Sequence, residues 1–438
     1  MHIGIIGAGP AGMTAAYDLV KAGHQVTIFE AGDRVGGLAA GFKDEGWDWQ
    51  LEKFYHHWFQ SDHDILNLIA ELGLSDQVLF PRPKTSMWSR GKIFPFDNVR
   101  AWLSFPHLPL IPKVRFGLTG LYMRLTRNWQ QMEKYTAQEW LIRYMGKDAY
   151  ETLWRPMLIG KFGDLYNQVT MAWFWARIYT RTVNLGTFVG GFQKFLDTFA
   201  QKLIEMGVTI RFNAPVQNVR REGSQLQATA NGETLTFDAV ISTTSPLALL
   251  KIAPDIPSPY TDQLRKLRSM GAVVLVVALD RQFMTDGTYW LNLPASSPDK
   301  SKSDFPFLAL VEHTNYMDRA HYGGDHLLYL GDYVPADHEY FKLSENELAD
   351  RFIGALAKVR PDFKREWIRR WWLYRAPYAQ PIPEVNHSRN IPDLATPIKG
   401  LYLASMSQIY PWDRGTNYAV MLGHQVAQRV QQDANKAS

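Results

Sequence analysis

The tightest constraint on the fold lies in the first thirty residues. An apolar run holding Ile3, Ile5 and Ile6 passes directly into Gly7-Ala8-Gly9-Pro10-Ala11-Gly12, and apolar positions then recur at helical spacing through Leu19 and Val20. After Gly23 a second apolar run, Val26 to Phe29, is closed by Glu30, 18 residues beyond Gly12. The pattern predicts strand, turn, helix and strand, with GxGxxG in the turn and an acid after the second strand. Gly7 permits the tight turn, Gly9 lets backbone approach a pyrophosphate, and Gly12 permits close packing of helix on strand. The helix opening at Pro10 and Ala11 offers free N–H groups to anionic oxygens. Glu30, with Ala31 beside it, can accept hydrogen bonds from a ribose diol, and its charge disfavours a 2′-phosphate.

The rest of the chain narrows the chemistry. There is no cysteine among the 438 residues. A disulfide, a thiolate nucleophile, an iron–sulfur cluster and a cysteinyl-linked flavin are therefore excluded, and any redox chemistry must come from a bound cofactor. With 46% hydrophobic and 21% charged residues, the composition fits a packed protein of two or three domains. No run of about 18 apolar residues exists, and Met1 to Ala8 has no basic leader, so a cytoplasmic chain is expected.

Asp33-Arg34-Val35-Gly36-Gly37 follows the ribose acid at once. With this segment the chain resembles the flavoprotein superfamily of amine oxidases, protoporphyrinogen oxidases, phytoene and other carotenoid desaturases, and UDP-galactopyranose mutases. The resemblance implies FAD rather than NAD, with Arg34, Gly36, Gly37 and Leu38 running along the diphosphate toward the flavin. It also implies an α/β fold whose Rossmann-like FAD domain is built from discontinuous segments, here 1–80, 185–250 and 395–438. Residues 251–394 are expected to form a mixed-sheet substrate domain, and 81–184 a helical, basic-aromatic cap or membrane-contact subdomain.

Two later segments match the superfamily's pattern. Gly190-Gly191-Phe192 opens a helix and leads to Pro215-Val216-Gln217-Asn218-Val219, where the resemblance gives the Val216 backbone to the adenine. Gly400 to Met406 is the third piece, but Ser405-Met406 stands where the superfamily usually has Gly-Asp, so Ser405 is carried over as a hydrogen-bonding substitute. Gly415-Thr416-Asn417 opens a last helix whose positive end is expected at the flavin's pyrimidine edge.

For catalysis the reading selects Glu52, Lys53, His56 and His57, which follow the glycine doublet and, with the phenol of Tyr55 among them, supply acid, amine and imidazole groups. Lys53 and His56 lead, with His57 third. Trp412 and Tyr410 are expected to wall the substrate over the ring, with Asp413 and Arg414 either paired or binding a polar head. His56, His57, His63, Asp62 and Asp64 match no metal-ligand spacing, and no metal is expected.

Charge is unevenly spread. Residues 81–131 hold Arg82, Lys84, Arg90, Lys92, Arg100, Lys113, Arg115, Arg124 and Arg127 against Asp97 alone, a net +8 inside a chain of net +4. Aromatic and aliphatic residues lie among these cations, so this segment is expected either to touch an anionic membrane surface, to receive a phosphate-bearing substrate, or to present a solvated face. A second basic run, Arg365 to Arg375, reads as more of that surface or as a sheet edge.

The resulting reading is a FAD-dependent dehydrogenase, desaturase or oxidase that moves hydride from a hydrophobic or amphiphilic substrate to flavin N5. Its electron acceptor is unidentified and nucleic acid is not an expected partner. The rivals are a flavin-dependent mutase of the UDP-galactopyranose mutase type and a non-catalytic escort protein for prenyl groups or other lipids.

Overall fold

A computed structural model describes residues 1–437. Its first sheet has five parallel strands, in the order Thr209–Arg211, Gln25–Phe29, His2–Ile6, Ala239–Ser242, Leu401–Leu403. The strands come from three distant parts of the chain. Ile3 and Ile5 are fully buried, as a central parallel strand covered by helices on both faces requires. One covering pair is Pro10–Lys21 with Thr416–Ala437. The two backbones approach so closely at Gly423 that a Cβ there would lie 2.6 Å from the Ala11 carbonyl oxygen. The mononucleotide-type turn is thereby locked against the last helix.

The second sheet has seven strands in the order Ile368–Pro381, Ser269–Leu279, His326–Val334, Ala309–Glu312, Thr288–Asn292, Lys84–Ser89, Lys92–Pro95. All neighbours are antiparallel except Thr288–Asn292 with Lys84–Ser89. Residues 84–95 thus form a hairpin on the sheet, not part of a helical cap. Arg90 and Gly91, both at positive φ, make its turn, and Ser86 and Met87 are buried against the neighbouring strand. Arg365 to Arg375 runs into the opposite edge strand. Arg369 and Arg370 pair there with Asp44, and Arg369 also with Asp325. That basic run is a partly neutralised sheet edge.

The helices Val99–Ser104, Leu110–Leu125, Ala137–Tyr144, Arg155–Phe162 and Met171–Tyr179 surround an aromatic core that includes Phe105, Trp140, Tyr150, Phe162, Trp173 and Trp175. Lys113, Arg115 and Arg124, counted above in the net charge of +8, hydrogen-bond within this layer. Lys113 donates to the Leu103 carbonyl, Arg115 to those of Arg143 and Tyr144, and Arg124 to those of Ile178 and Arg181. Each satisfies backbone oxygens left over at a helix end.

Candidate active site

The glycines of the first turn divide by what surrounds them. A Cβ on Gly12 would sit 2.0 Å from the Gly7 carbonyl oxygen, and one on Gly7, at φ +106°, would sit 2.5 Å from Thr243 Oγ1. A Cβ on Gly9 would meet nothing within 4 Å, although Gly9 caps the helix. Gly36 and Gly37 both have positive φ, and the Gly36 N–H donates to the Ala8 carbonyl at 2.9 Å. A Cβ on Gly37 would meet only the Gly9 Cα, at 3.6 Å. Gly9 and Gly37 therefore face each other across an open strip of bare backbone.

Around this strip the other candidates are fixed by the protein itself. The Glu30 carboxylate accepts the N–H groups of Ala8 and Gly32 at 2.9 and 2.8 Å, a grip that spans Ala31. The Ala214 N–H donates to the Glu30 carbonyl, which brings the segment leading to Val216 beside it. Arg34 reaches Asp33 and the Gly41 carbonyl. The Ser405 hydroxyl is engaged by Tyr378 at 2.8 Å and caps a short turn. Thr416 accepts Trp58 Nε1–H at 2.7 Å, and Asn417 accepts the Ile65 N–H at 3.0 Å. Gly415 stays open, with only a Tyr418 ring atom at 4.0 Å from a notional Cβ.

Beyond Gly37 lies a cavity lined by Leu38, Phe54, Tyr55, His56, Ala272, Val274, Asp332, Tyr333, Ala379 and Arg414. It joins the glycine doublet to the loop before the last helix, over one face of the large sheet. His56 Nδ1 is 2.5 Å from the Phe54 carbonyl oxygen. A carbonyl only accepts, so Nδ1 carries the proton and Nε2 keeps its lone pair. Burial pushes this imidazole down to about 4. His57 is pushed down to about 3, by burial first and then by Arg181, and its Nδ1 is buried without a partner. Trp412 stands in an aromatic row, 5.7 Å from Trp175, 6.3 Å from Tyr179 and 5.9 Å from Tyr418.

Glu52 and Lys53 are not in the cavity wall. Lys53 lays its ammonium over the Tyr374 ring at 5.7 Å. Glu52 is buried and accepts the Phe192 N–H at 2.8 Å, which holds the Gly190-Gly191 turn. Burial pushes its carboxyl up to about 7 from an ordinary value of 4.5. A raised acid favours folding below its unfolded value, and the benefit is lost as pH rises through 7. Glu52→Gln keeps an accepting oxygen and removes the titration. Its stability relative to the parent should therefore rise by about 3 kcal/mol between pH 4 and pH 8, read by denaturant unfolding at both values. A pH-independent difference would refute this account of the group.

Tyr55, whose phenol the sequence offered beside the two imidazoles, lines the cavity, and Asp332 and Tyr333 are cavity residues that sequence reasoning missed. Asp332 is buried and pairs with Lys300 at 2.8 Å, with its second oxygen unpartnered. Among the described residues no group of three or more His, Asp or Glu side chains is placed to hold a metal.

The model of the family "flavin containing amine oxidoreductase" matches residues 10–431. The chain belongs to that family. It is a FAD-dependent oxidoreductase, and the open strip at Gly9 and Gly37, leading into the cavity beside Leu38, fits that cofactor. A 15-cis-phytoene desaturase from an Oncidium hybrid cultivar is 23% identical over 100% of this chain and 78% of the relative. Among solved structures, a candidate protoporphyrinogen oxidase from Exiguobacterium sp. 255-15 matches with TM-score 0.78 and 17% identity over 99% of both chains. A reduced UDP-galactopyranose mutase matches with TM-score 0.75 and 17% identity, over 98% of this chain and 95% of the other. These likenesses extend the shared fold over the whole length.

Proposed function

We propose that the cavity dehydrogenates a hydrophobic or amphiphilic substrate and that His56 takes the proton released. The bound FAD supplies the hydride acceptor, at its N5. The observation that carries this reading is the tautomer of His56: its Nδ1–H is committed to the Phe54 carbonyl, and its basic Nε2 is left on a wall shared with Leu38 and Arg414. Gly9, Gly12 and Gly37 would hold the diphosphate through backbone N–H groups, and Glu30 the ribose, while the N–H groups of Gly7 and Gly36 are taken by the Phe29 and Ala8 carbonyls and only shape the turn. Phe54, Val274 and Ala379 exclude water from the reacting carbon, and Trp412 closes the far side. The test is anaerobic mixing of the FAD-loaded protein with hydrophobic amines, polyenes and isoprenoids. Bleaching of the flavin band together with an oxidised product is expected. A substrate converted without net oxidation overturns the reading in favour of a mutase.

We also infer that a lipid bilayer covers the helix Leu110–Leu125. Ile111, Val114, Leu118, Leu121 and Leu125 follow one another at steps of three and four, and each is at least 51% exposed. Such a run on a helix face is more apolar surface than water normally tolerates. Arg82, Arg90, Lys92, Arg100 and Arg127 reach solvent in the same segment with no carboxylate partner among the described residues, a charge suited to anionic headgroups. No described helix is long and apolar enough to cross a membrane, so the contact is in-plane. Leu118→Asp with Leu121→Asp should abolish sedimentation with vesicles of mixed neutral and anionic lipid. A parent protein that stays in the supernatant, or that buries this face in a dimer by gel filtration, refutes lipid contact.

A further inference from the structure

Past Trp412 the site gathers positive charge that the protein does not neutralise. Arg177 lies on the helix Met171–Tyr179 and Arg181 follows four residues on, in reach of the same face. Lys161 comes from the helix Arg155–Phe162, and Arg414 from the loop before Thr416–Ala437. One carboxylate answers them. Asp413 pairs with Arg177 and accepts Trp173 Nε1–H at 2.9 Å and Gln380 Nε2–H at 3.2 Å. Arg414 donates Nε–H to Gln380 at 2.9 Å, bonds the Tyr333 hydroxyl, and lies over that ring at 5.1 Å.

The other two cations have no acceptor. Lys161 makes only ring contacts, 4.6 Å from the Tyr333 centroid and 5.7 Å from that of Trp173, and no hydrogen bond or ion pair among the described residues. The Arg181 guanidinium likewise has no hydrogen-bond or carboxylate partner among the described residues; its backbone carbonyl alone is used, by Arg124. Arg181 is exposed, and Arg177 stands close enough to repel it. His57 beside it contributes a buried ring nitrogen with no partner. Like charges gathered at one place repel one another unless an anion lies between them. Lys161 and Arg181, each without a carboxylate partner and each repelled by Arg177, with Arg414 also against Lys161, therefore mark a place where an anion would relieve the crowding of positive charge. None of the four contacts the Gly7–Gly12 turn, so the anion is not the cofactor's diphosphate.

We propose that Lys161, Arg177, Arg181 and Arg414, with His57 as a neutral hydrogen-bonding neighbour, form an anion subsite, and that the substrate is an amphiphile bearing a phosphate or diphosphate. The assignment of the anion to the substrate rests on the oxidoreductase reading above. The planar guanidinium forks can meet phosphate oxygens in pairs, while the aromatic row around Trp412 takes the apolar part. The basic segment 81–131 is not the receptor for that phosphate. Its cations cap helix ends, pair with carboxylates, or face solvent.

The test titrates FAD-loaded protein with farnesyl diphosphate, inorganic pyrophosphate and farnesol, read by the shift of the flavin spectrum and by calorimetry. Farnesyl diphosphate should saturate and bind at least about tenfold tighter than either of the others. Arg181→Met and Lys161→Met should each weaken it about 10- to 100-fold, the loss of one charge-assisted contact, with FAD content and melting temperature unchanged. Pyrophosphate binding as tightly as farnesyl diphosphate overturns the amphiphile. No saturable binding of either phosphate compound, or unaltered binding in both variants, overturns the subsite. Protein that purifies without FAD yet binds the diphosphate calorimetrically refutes the oxidoreductase reading and leaves the subsite standing.

Discussion

Gly9→Leu is expected to fold like the parent protein and to purify without FAD. The two halves of that expectation rest on different observations. A Cβ at Gly9 meets no atom within 4 Å, and its φ of −76° with ψ of 175° is extended backbone open to any residue. Nothing in the folded protein therefore opposes the side chain. The same empty space is what a diphosphate needs if it is to approach the N–H groups at the start of Pro10–Lys21. A leucine fills it, and FAD affinity should drop by at least about a thousandfold, the loss of several charge-assisted backbone contacts at once. Gly12→Val is the contrasting variant. Its Cβ would overlap the Gly7 carbonyl oxygen at 2.0 Å, so the turn itself must move and the melting temperature should fall together with cofactor content. Absorbance of released flavin and thermal melting measure both outcomes. Stoichiometric FAD in Gly9→Leu would remove the diphosphate assignment.

The contrast between these glycines was legible in the sequence, because GxGxxG assigns each position to a different steric task. The three-part build of the FAD domain was legible through the superfamily resemblance, which joined segments 1–80, 185–250 and 395–438. Side-chain direction was not. Glu52 and Lys53 are neighbours near the end of a short strand, where consecutive residues point to opposite sides, and an offset counted from Gly37 cannot say which side faces the cavity. In the structure neither does: Glu52 turns to Phe192 and Lys53 to Tyr374. The hairpin at 84–95 was read as part of a helical region because Lys84–Ser89 pairs with Thr288–Asn292, about 200 residues away. Most of the anion subsite was illegible for the same reason. Asp413 and Arg414 were read as either paired or binding a polar head, and Asp413 belongs to Arg177, 236 residues earlier. Once that partner is taken, the surplus of Lys161 and Arg181 becomes visible.

His56→Gln should retain FAD and lose most of the rate at which substrate reduces it. In the parent, the Phe54 carbonyl fixes the Nδ1–H tautomer and leaves Nε2 its lone pair, on a residue that lines the cavity. Burial holds the ring neutral until pH falls to about 4, so the base is available throughout the neutral range. Glutamine has similar reach but is not basic, and removal of a positioned general base lowers rates by about 10²- to 10⁴-fold. The effect belongs on the first-order rate of anaerobic reduction, with substrate affinity little changed, because the imidazole acts as the proton leaves rather than in holding the apolar body. The pH dependence separates this role from a packing role. For the parent the reduction rate should be level across neutral pH and decline on the acid side as the imidazole approaches about 4, where protonation occupies the lone pair. The glutamine variant should be slow at every pH and lack that acid limb. A cavity damaged only in shape would keep the limb and lose affinity instead, and a variant reduced as fast as the parent would end the assignment of His56 as the base.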